Sequence, residues 1–143
     1  MNTTPPRHSV SVSGVIPDDH GRVLLIRRRD NQHWEPPGGV LELGETIPDG
    51  LRREIREETG LDIEPDALTG VYKNMPRGII ALVFRCKTTG GDLALSDEVA
   101  AFRWADGTEV AELSDEAYAV RVLDALGDTA PPAVRQHDGK SVI

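Results

Sequence analysis

The sequence predicts an α/β (α+β) domain, a mixed β-sheet flanked by helices. Three observations carry this. The hydrophobic patterns run β-β-α, then several strands, then a C-terminal helix. The first strand, "SVSVSGVI" from Ser9 to Ile16, alternates apolar and polar residues as a half-buried strand does. The 143 residues suit one domain with a real core.

The elements follow in order. Residues 1–8 read as a flexible lead-in, 9–127 as the folded domain, and 128–143, "DTAPPAVRQHDGKSVI", as a mobile C-terminal tail. "PDDHG" at 17–21 is a turn, and "RVLLIRRR" at 22–29 a strand that starts apolar and ends basic. "WEPPGGVLELGE", from Trp34 to Glu45, breaks any helix, and its Pro-Pro-Gly-Gly excludes a central strand. A helix runs from Ile47 to Thr59, with Thr46 as N-cap, Asp49 in a variant capping box and Gly60 at the left-handed C-cap position. "ALTGVYKN" and "GIIALVFRCKTT" are strands joined by the turn "MPRG"; "GGDL" is a further turn and "VAAFRW" at 99–104 a further strand. The last helix spans Ser114 to Leu126, capped by Ser114 and stopped by Gly127, with Ala117, Val120, Leu123 and Ala125 or Leu126 at helical spacing.

Composition narrows the function. The net charge of −8 repels nucleic acid and anionic membranes unless a local basic patch intervenes, and Arg27-Arg28-Arg29 is the one dense basic run. A net negative protein still binds phosphates through a divalent cation. No apolar stretch is long enough to span a membrane. Cys86 is the single cysteine, so no intrachain disulfide forms; it is expected to be a buried thiol, and the protein to be cytoplasmic.

The chemistry lies on the first helix. At 100° per residue, Ile47, Leu51 and Ile55 form the apolar stripe, while Asp49, Arg52 and Arg56 face water. Glu54 and Glu58 fall on the flank that packs inward, and Glu57 borders them. Like charges at this spacing repel, and partial burial adds to the cost. A hard divalent cation removes that cost. On spacing alone, a metal site and a structural carboxylate cluster remain equal alternatives.

Gly39, five residues, Glu45, seven residues, Arg53-Glu54-Ile55, one residue, Glu57-Glu58, one residue, Gly60-Leu61: this series resembles the Nudix box at every position. Seven fixed residues at roughly 6% frequency give a chance match on the order of 10⁻⁷. The "W-x-x-P-G-G" approach and the acidic loop before a strand ending at Trp104 also resemble the family, so the likeness spans about residues 9–126. It implies a Nudix-type α/β/α sandwich whose box forms a catalytic loop-helix-loop. It implies hydrolysis of a nucleoside diphosphate linked to X with Mg²⁺ or Mn²⁺. Glu54, Glu57 and Glu58 would carry the metal, completed by a backbone carbonyl, that of Gly38. Glu45 and Arg53 would pair and hold the loop against the helix. Glu98 would reach the metal from outside the box, with Asp97 an available neighbour. The general base would be Glu54, Glu58 or Glu98. Arg28 or Arg27 would bind substrate phosphates; strand alternation sends them to opposite faces, so at most one points at the site, and Arg28 is the preferred candidate. Trp34 would stack on a base or close the core. Gly38-Gly39 would let the backbone approach the ligand, so Gly38→Val is expected to harm turnover far more than stability.

The chemistry of the bond agrees. A pyrophosphate linkage repels an attacking water; cations neutralise it and orient the phosphates, and a carboxylate takes the water's proton. Pro76, sixteen residues after Gly60, resembles the ADP-ribose-hydrolysing subgroup, while the short chain suits nucleoside triphosphates equally. The tyrosine of dinucleoside-polyphosphate hydrolases is absent near Gly78. Two alternatives stand beside hydrolysis of a small nucleotide: a non-catalytic nucleotide-sensing module, which the complete set of box acids disfavours, and an RNA 5′-end pyrophosphohydrolase, which the charge and the lack of aromatic-basic interleaving disfavour. Similar proteins are often homodimers.

Overall fold

The computed structural model describes residues 4–127 and 131–143; residues 1–3 of the expected lead-in and 128–130 of the expected tail lie outside them. The elements are β1 (Ser9–Val15), β2 (Val23–Arg28), β3 (Trp34–Glu35), β4 (Gly38–Val40), α1 (Ile47–Thr59), β5 (Leu61–Asn74), β6 (Ile79–Gly91), β7 (Val99–Ala105), α2 (Gly107–Leu113), α3 (Glu116–Leu126) and β8 (Ala133–His137). They form a five-stranded sheet in the order β4-β1-β6-β5-β8 and a three-stranded sheet in the order β3-β2-β7. The larger sheet is mixed: β1 runs parallel to β6 and β5 parallel to β8, while β4-β1 and β5-β6 are antiparallel.

The core has two parts, as a sandwich requires. Leu51 and Ile55 of α1 bury against Val12, Leu24, Leu61, Ile63 and Cys86. Each such side chain contributes roughly 1.5–3 kcal/mol on burial. Ala119, Val122 and Ala125 of α3 bury against Val15, Val23, Leu25, Tyr72 and Val83. Leu24 and Leu25 therefore serve opposite parts of the core, as alternation along a strand buried on both faces demands. Cys86 is buried, and burial pushes its thiol up to about 12.

Several expectations are corrected. Ile47 is 39% exposed and lies outside the apolar stripe that Leu51 and Ile55 form. Asp49 donates its amide to the Thr46 hydroxyl (3.2 Å), but its carboxylate pairs with Arg52 instead of closing a capping box. Asp115, not Ser114, precedes α3, because Ser114 ends the unforeseen α2; on α3 the buried face uses Ala119 and Val122, and Leu123 is 41% exposed. The Pro-Pro-Gly-Gly stretch leads into β4, an edge strand, so its exclusion from a central strand holds. Pro36 and Pro37 are buried where the chain leaves one sheet at β3 and joins the other at β4.

The mobile-tail expectation fails for 131–143. β8 pairs with β5 from Gly70↔Ala133 to Asn74↔His137. Arg135 grips Asp124 of α3 through two bonds of 2.7 Å, the Ala117 amide donates to the Lys140 carbonyl (2.9 Å), and the Val142 amide to Glu116 (2.6 Å). Backbone pairing and polar ties hold this segment, with Val134 72% exposed, so it has no apolar pattern from which a strand could be read.

Candidate active site

α1 is fixed at both ends, by Thr46 and by Gly60, whose φ of 81° gives a left-handed C-cap. Its inward flank places Glu54 and Glu58 against β4. Glu58 is 7% exposed and accepts a 2.6 Å bond from the Gly38 amide. The ladder explains why that amide is free. Gly14 donates to Pro37 (2.9 Å) and Leu41 to Val10 (2.8 Å), with Val12 opposite Gly39. In this alternation Gly38 turns its N–H and C=O away from β1, toward α1.

A side chain on Gly38 would strike Val12 O and Ser13 in β1, and one on Gly39 would strike the Glu54 carboxylate. The two glycines thus serve sheet contact and room for Glu54, so a side chain at Gly38 bears on stability as well as on the cleft.

Arg53 organises the acids. Its Nε and Nη2 donate to the Glu45 carboxylate (2.9 and 2.7 Å), its Nη1 to Glu54 (3.0 Å) and Glu57 (3.2 Å), and its Nη2 also to the Val40 carbonyl (3.3 Å). The Glu42 amide donates to Glu45 as well (2.9 Å). Arg53 first, then that amide, hold the Glu45 carboxyl down at about 2. Burial drives the other acids the opposite way. It raises Glu54, against the pull of Arg53, with Glu57 and Glu98 adding repulsion. It raises Glu58 to about 8, opposed by the Gly38 amide and aided by Glu54, Glu35 and Glu98.

Glu54, Glu57 and Glu58 line an open cleft of about 580 Å³ together with Glu98, Asp97, Arg28, Arg29 and the Gly38–Val40 strand, while Glu45 and Arg53 stand outside its lining. Glu57 is largely exposed, at 60% of its side chain. Glu98 and Asp97 are exposed in the bend before β7, and the Arg29 amide ties that bend down by donating to the Glu98 carbonyl (3.0 Å). Arg28 donates to Asp30 (2.7 and 2.9 Å) and Glu35 (3.3 Å). Arg27 and Trp34 are not brought to the cleft. Arg27 lies over the Trp34 ring at 5.7 Å, and Trp34 packs on the α3 side of the core. Arg29 was missed as a cleft residue; it lies in the turn past the end of β2, where strand alternation gives no direction, and its amide ties it to the Glu98 bend.

Among the described residues no three carboxylate, imidazole or thiol groups converge into a preassembled metal cage. Arg53 engages Glu54 and Glu57, and the Gly38 amide engages Glu58. The donor chemistry nevertheless fits a hard divalent cation: several carboxylates and a strand-edge carbonyl at one cleft, with buried Glu58 lacking a counter-charge and half-buried Glu54 sharing Arg53 with Glu45 and Glu57.

The sequence profile of the NUDIX domain matches residues 7–126. The chain belongs to the Nudix hydrolase family. A MutT-like protein of Streptomyces ambofaciens is 58% identical over 141 residues, covering 99% of this chain and 91% of the relative. An ADP-ribose pyrophosphatase of Methanocaldococcus jannaschii is 40% identical over 97 residues, and the human 8-oxo-dGDP phosphatase NUDT18 39% over 90. Those matches cover 63% and 61% of this chain, and 57% and 28% of the two relatives. Among solved structures, a UDP-X diphosphatase superposes with a TM-score of 0.79 at 18% identity over 92% of this chain and 69% of its own. An ADP-ribose pyrophosphatase of Streptococcus suis superposes with a TM-score of 0.75 at 19% identity, over 92% of this chain and all of its own. At these identities the likeness shows the Nudix fold. Nudix hydrolases generally use divalent metal ions. No helix among the described residues is long and apolar enough to cross a membrane.

Proposed function

We propose that this Nudix chain is a Mg²⁺- or Mn²⁺-dependent pyrophosphohydrolase that cleaves the phosphoanhydride bond of a nucleoside diphosphate linked to X by water attack at phosphorus. The observation that carries the reading is Glu58: a carboxyl buried beside Glu54, facing Glu98 across the cleft and held by one backbone amide. Such a group is expensive to keep in a fold unless a cation or a proton is bound there.

Glu54, Glu57, Glu58, Glu98 and the Gly38 carbonyl would hold the cation, which supplies charge neutralisation at the bridging phosphates. Glu45 and Arg53 orient the acids. Arg28, and Arg29 beside it, offer donors to the outer phosphate oxygens. Glu54, Glu58 and Glu98 are the groups placed to take the proton of the attacking water.

The test is a panel of nucleoside triphosphates and ADP-ribose-like diphosphates with Mg²⁺ and Mn²⁺. Orthophosphate is read with and without added pyrophosphatase or phosphatase, which separates release of pyrophosphate from release of two monophosphates. Metal-dependent turnover is expected, lost in Glu58→Gln. Full turnover by both Glu57→Gln and Glu58→Gln, with unchanged metal dependence, would overturn the assignment.

A further inference from the structure

A second pocket, of about 270 Å³, adjoins the acid-lined cleft and shares Arg28 and the Gly38–Val40 strand with it. Its walls have a different chemistry. The polar face of β1 contributes Ser9, Ser11 and Ser13, because alternation turns Val12 toward α1 and the serines the other way. Tyr118 and Arg121 come from α3, and Glu35 from β3.

Arg121 is the anomaly. Its guanidinium lies 4.7 Å from the Tyr118 ring and 5.5 Å from the Tyr72 ring. Its Nε is buried and lacks a hydrogen-bond partner, as does Ser13 Oγ of the same pocket. Its Nη2 lies 3.3 Å from His137 Nε2. That contact satisfies nothing. The Gly139 amide donates to His137 Nδ1 (3.0 Å), so the neutral ring carries its proton on Nε2 and offers Arg121 no acceptor. Among the described residues no carboxylate ion-pairs with Arg121. A guanidinium Nε held away from water without an acceptor is costly, and a ligand acceptor at that edge removes the cost. The support behind it is built by β8: His137 is buried and its ring lies 6.0 Å from Tyr118. β8 lies beyond the 7–126 span that matches the NUDIX profile.

The occupant follows from the donors and acceptors. The phosphates belong in the neighbouring cleft. A second anion here would meet the Glu35 carboxylate, and Arg28 is already engaged by Asp30 and Glu35. A flat, neutral heterocycle suits Pro36, Ile79 and Tyr118. Arginine only donates, so it matches a carbonyl at C6 of a purine and opposes the amino group that adenine carries there. Glu35 supplies an acceptor in the same pocket for ring N–H groups.

We propose that the second pocket takes a 6-oxopurine base, and that Arg121 is the specificity-determining residue that donates to its O6 atom. This rests on the cleft being the pyrophosphohydrolase site.

The test compares kcat/KM of the full chain for the triphosphates of guanosine, inosine, adenosine, uridine and 2-aminopurine riboside, the last lacking O6. Calorimetric binding of GMP and AMP, where no anhydride is cleaved, runs beside it. The wild type is expected to favour both 6-oxopurines over adenine and over 2-aminopurine by about tenfold or more, mainly in KM. Arg121→Gln, whose amide also accepts, should collapse that ratio, and Arg121→Lys, which keeps a donor, should retain part of it. Absence of the preference in the wild type, or an unchanged ratio in both variants, overturns the proposal. Should Arg121→Gln fail to fold, the 2-aminopurine comparison on the wild type decides alone. Metal-dependent turnover without 6-oxopurine preference sinks the pocket assignment and leaves the hydrolase reading intact. Absence of all turnover, with GMP bound over AMP in the wild type but not in Arg121→Gln, does the reverse.

Discussion

The Gly38–Val40 strand has a different landscape on each side. On the α1 side, four glutamates and Asp97 line the cleft, and burial raises the carboxyls of Glu54 and Glu58. On the β1 side, serine hydroxyls and the half-buried Arg121 guanidinium line the pocket, and desolvation works against its positive charge. Both sides hold charge that their surroundings do not fully compensate, but of opposite sign. The acidic side suits a cation. The basic side suits an acceptor-rich group without charge of its own. The proposed nucleotide would span both, with its anionic middle over the cleft and its base in the pocket.

Removing the cation should have the largest effect. Chelation is expected to abolish turnover and added Mg²⁺ or Mn²⁺ to restore it, checked by phosphate release. Glu58→Gln should lower kcat by about 10²- to 10⁴-fold, measured at saturating metal. Glu45→Gln should weaken activity by about 10- to 100-fold by freeing Arg53 and disordering the acids, with metal titration showing the loss as affinity.

The same acids give the comparison a pH dependence. Glu58 is raised from its ordinary 4.5 to about 8 in the folded, metal-free protein. The folded state then binds its proton more tightly than the unfolded chain does. That contribution is complete below about 4.5 and is lost as pH rises through about 8. The urea midpoint of the metal-free protein should therefore fall over this range, and Glu58→Gln should flatten the fall. Glu45 has the opposite sign: held at about 2, its contribution is present above its ordinary 4.5 and lost as pH drops toward 2.

Gly38→Val should cost roughly 1–3 kcal/mol in chemical denaturation, because the new side chain meets β1 backbone that cannot turn aside. The smallest effect separates neighbouring arginines. Arg28→Ala should raise KM, whereas Arg27→Ala should cost about 0.5–1 kcal/mol of stability through its lost contact with Trp34 and leave KM in place.

The two sides also differed in how far the sequence revealed them. The acidic side lies largely on one helix, where a single period relates Glu54, Glu57 and Glu58 and where Thr46 and Gly60 mark the ends. Spacing therefore carried the information. The other side draws Ser13, Glu35, Arg121 and the support of His137 from β1, β3, α3 and β8, which are distant in sequence and share no period. The alternating serines of β1 were visible, but a polar strand face reads as solvated until another element is known to cover it. β8 stayed hidden for a related reason: its hold on the fold is backbone pairing and the Arg135–Asp124 contact, neither of which leaves an apolar signature. Alternation alone allowed one of Arg27 and Arg28 at the site without saying which, and Arg29 lies in the turn past the end of β2, where alternation no longer applies.

The bond from the Gly38 amide to Glu58 links the two sides through one peptide. Gly38 borders the pocket as well as the cleft, so in the proposed complex a base that shifts this strand edge would alter the carboxylate, and an ion that draws on the carboxylate would alter the strand edge. Thermodynamic reciprocity makes the two influences equal in size. Whatever factor a saturating nucleobase applies to the apparent ion affinity, the saturating ion must apply to the nucleobase. A matrix of binding titrations with both proposed ligands would close as a thermodynamic box, and Glu58→Gln, which alters that bond, would report its share of the coupling.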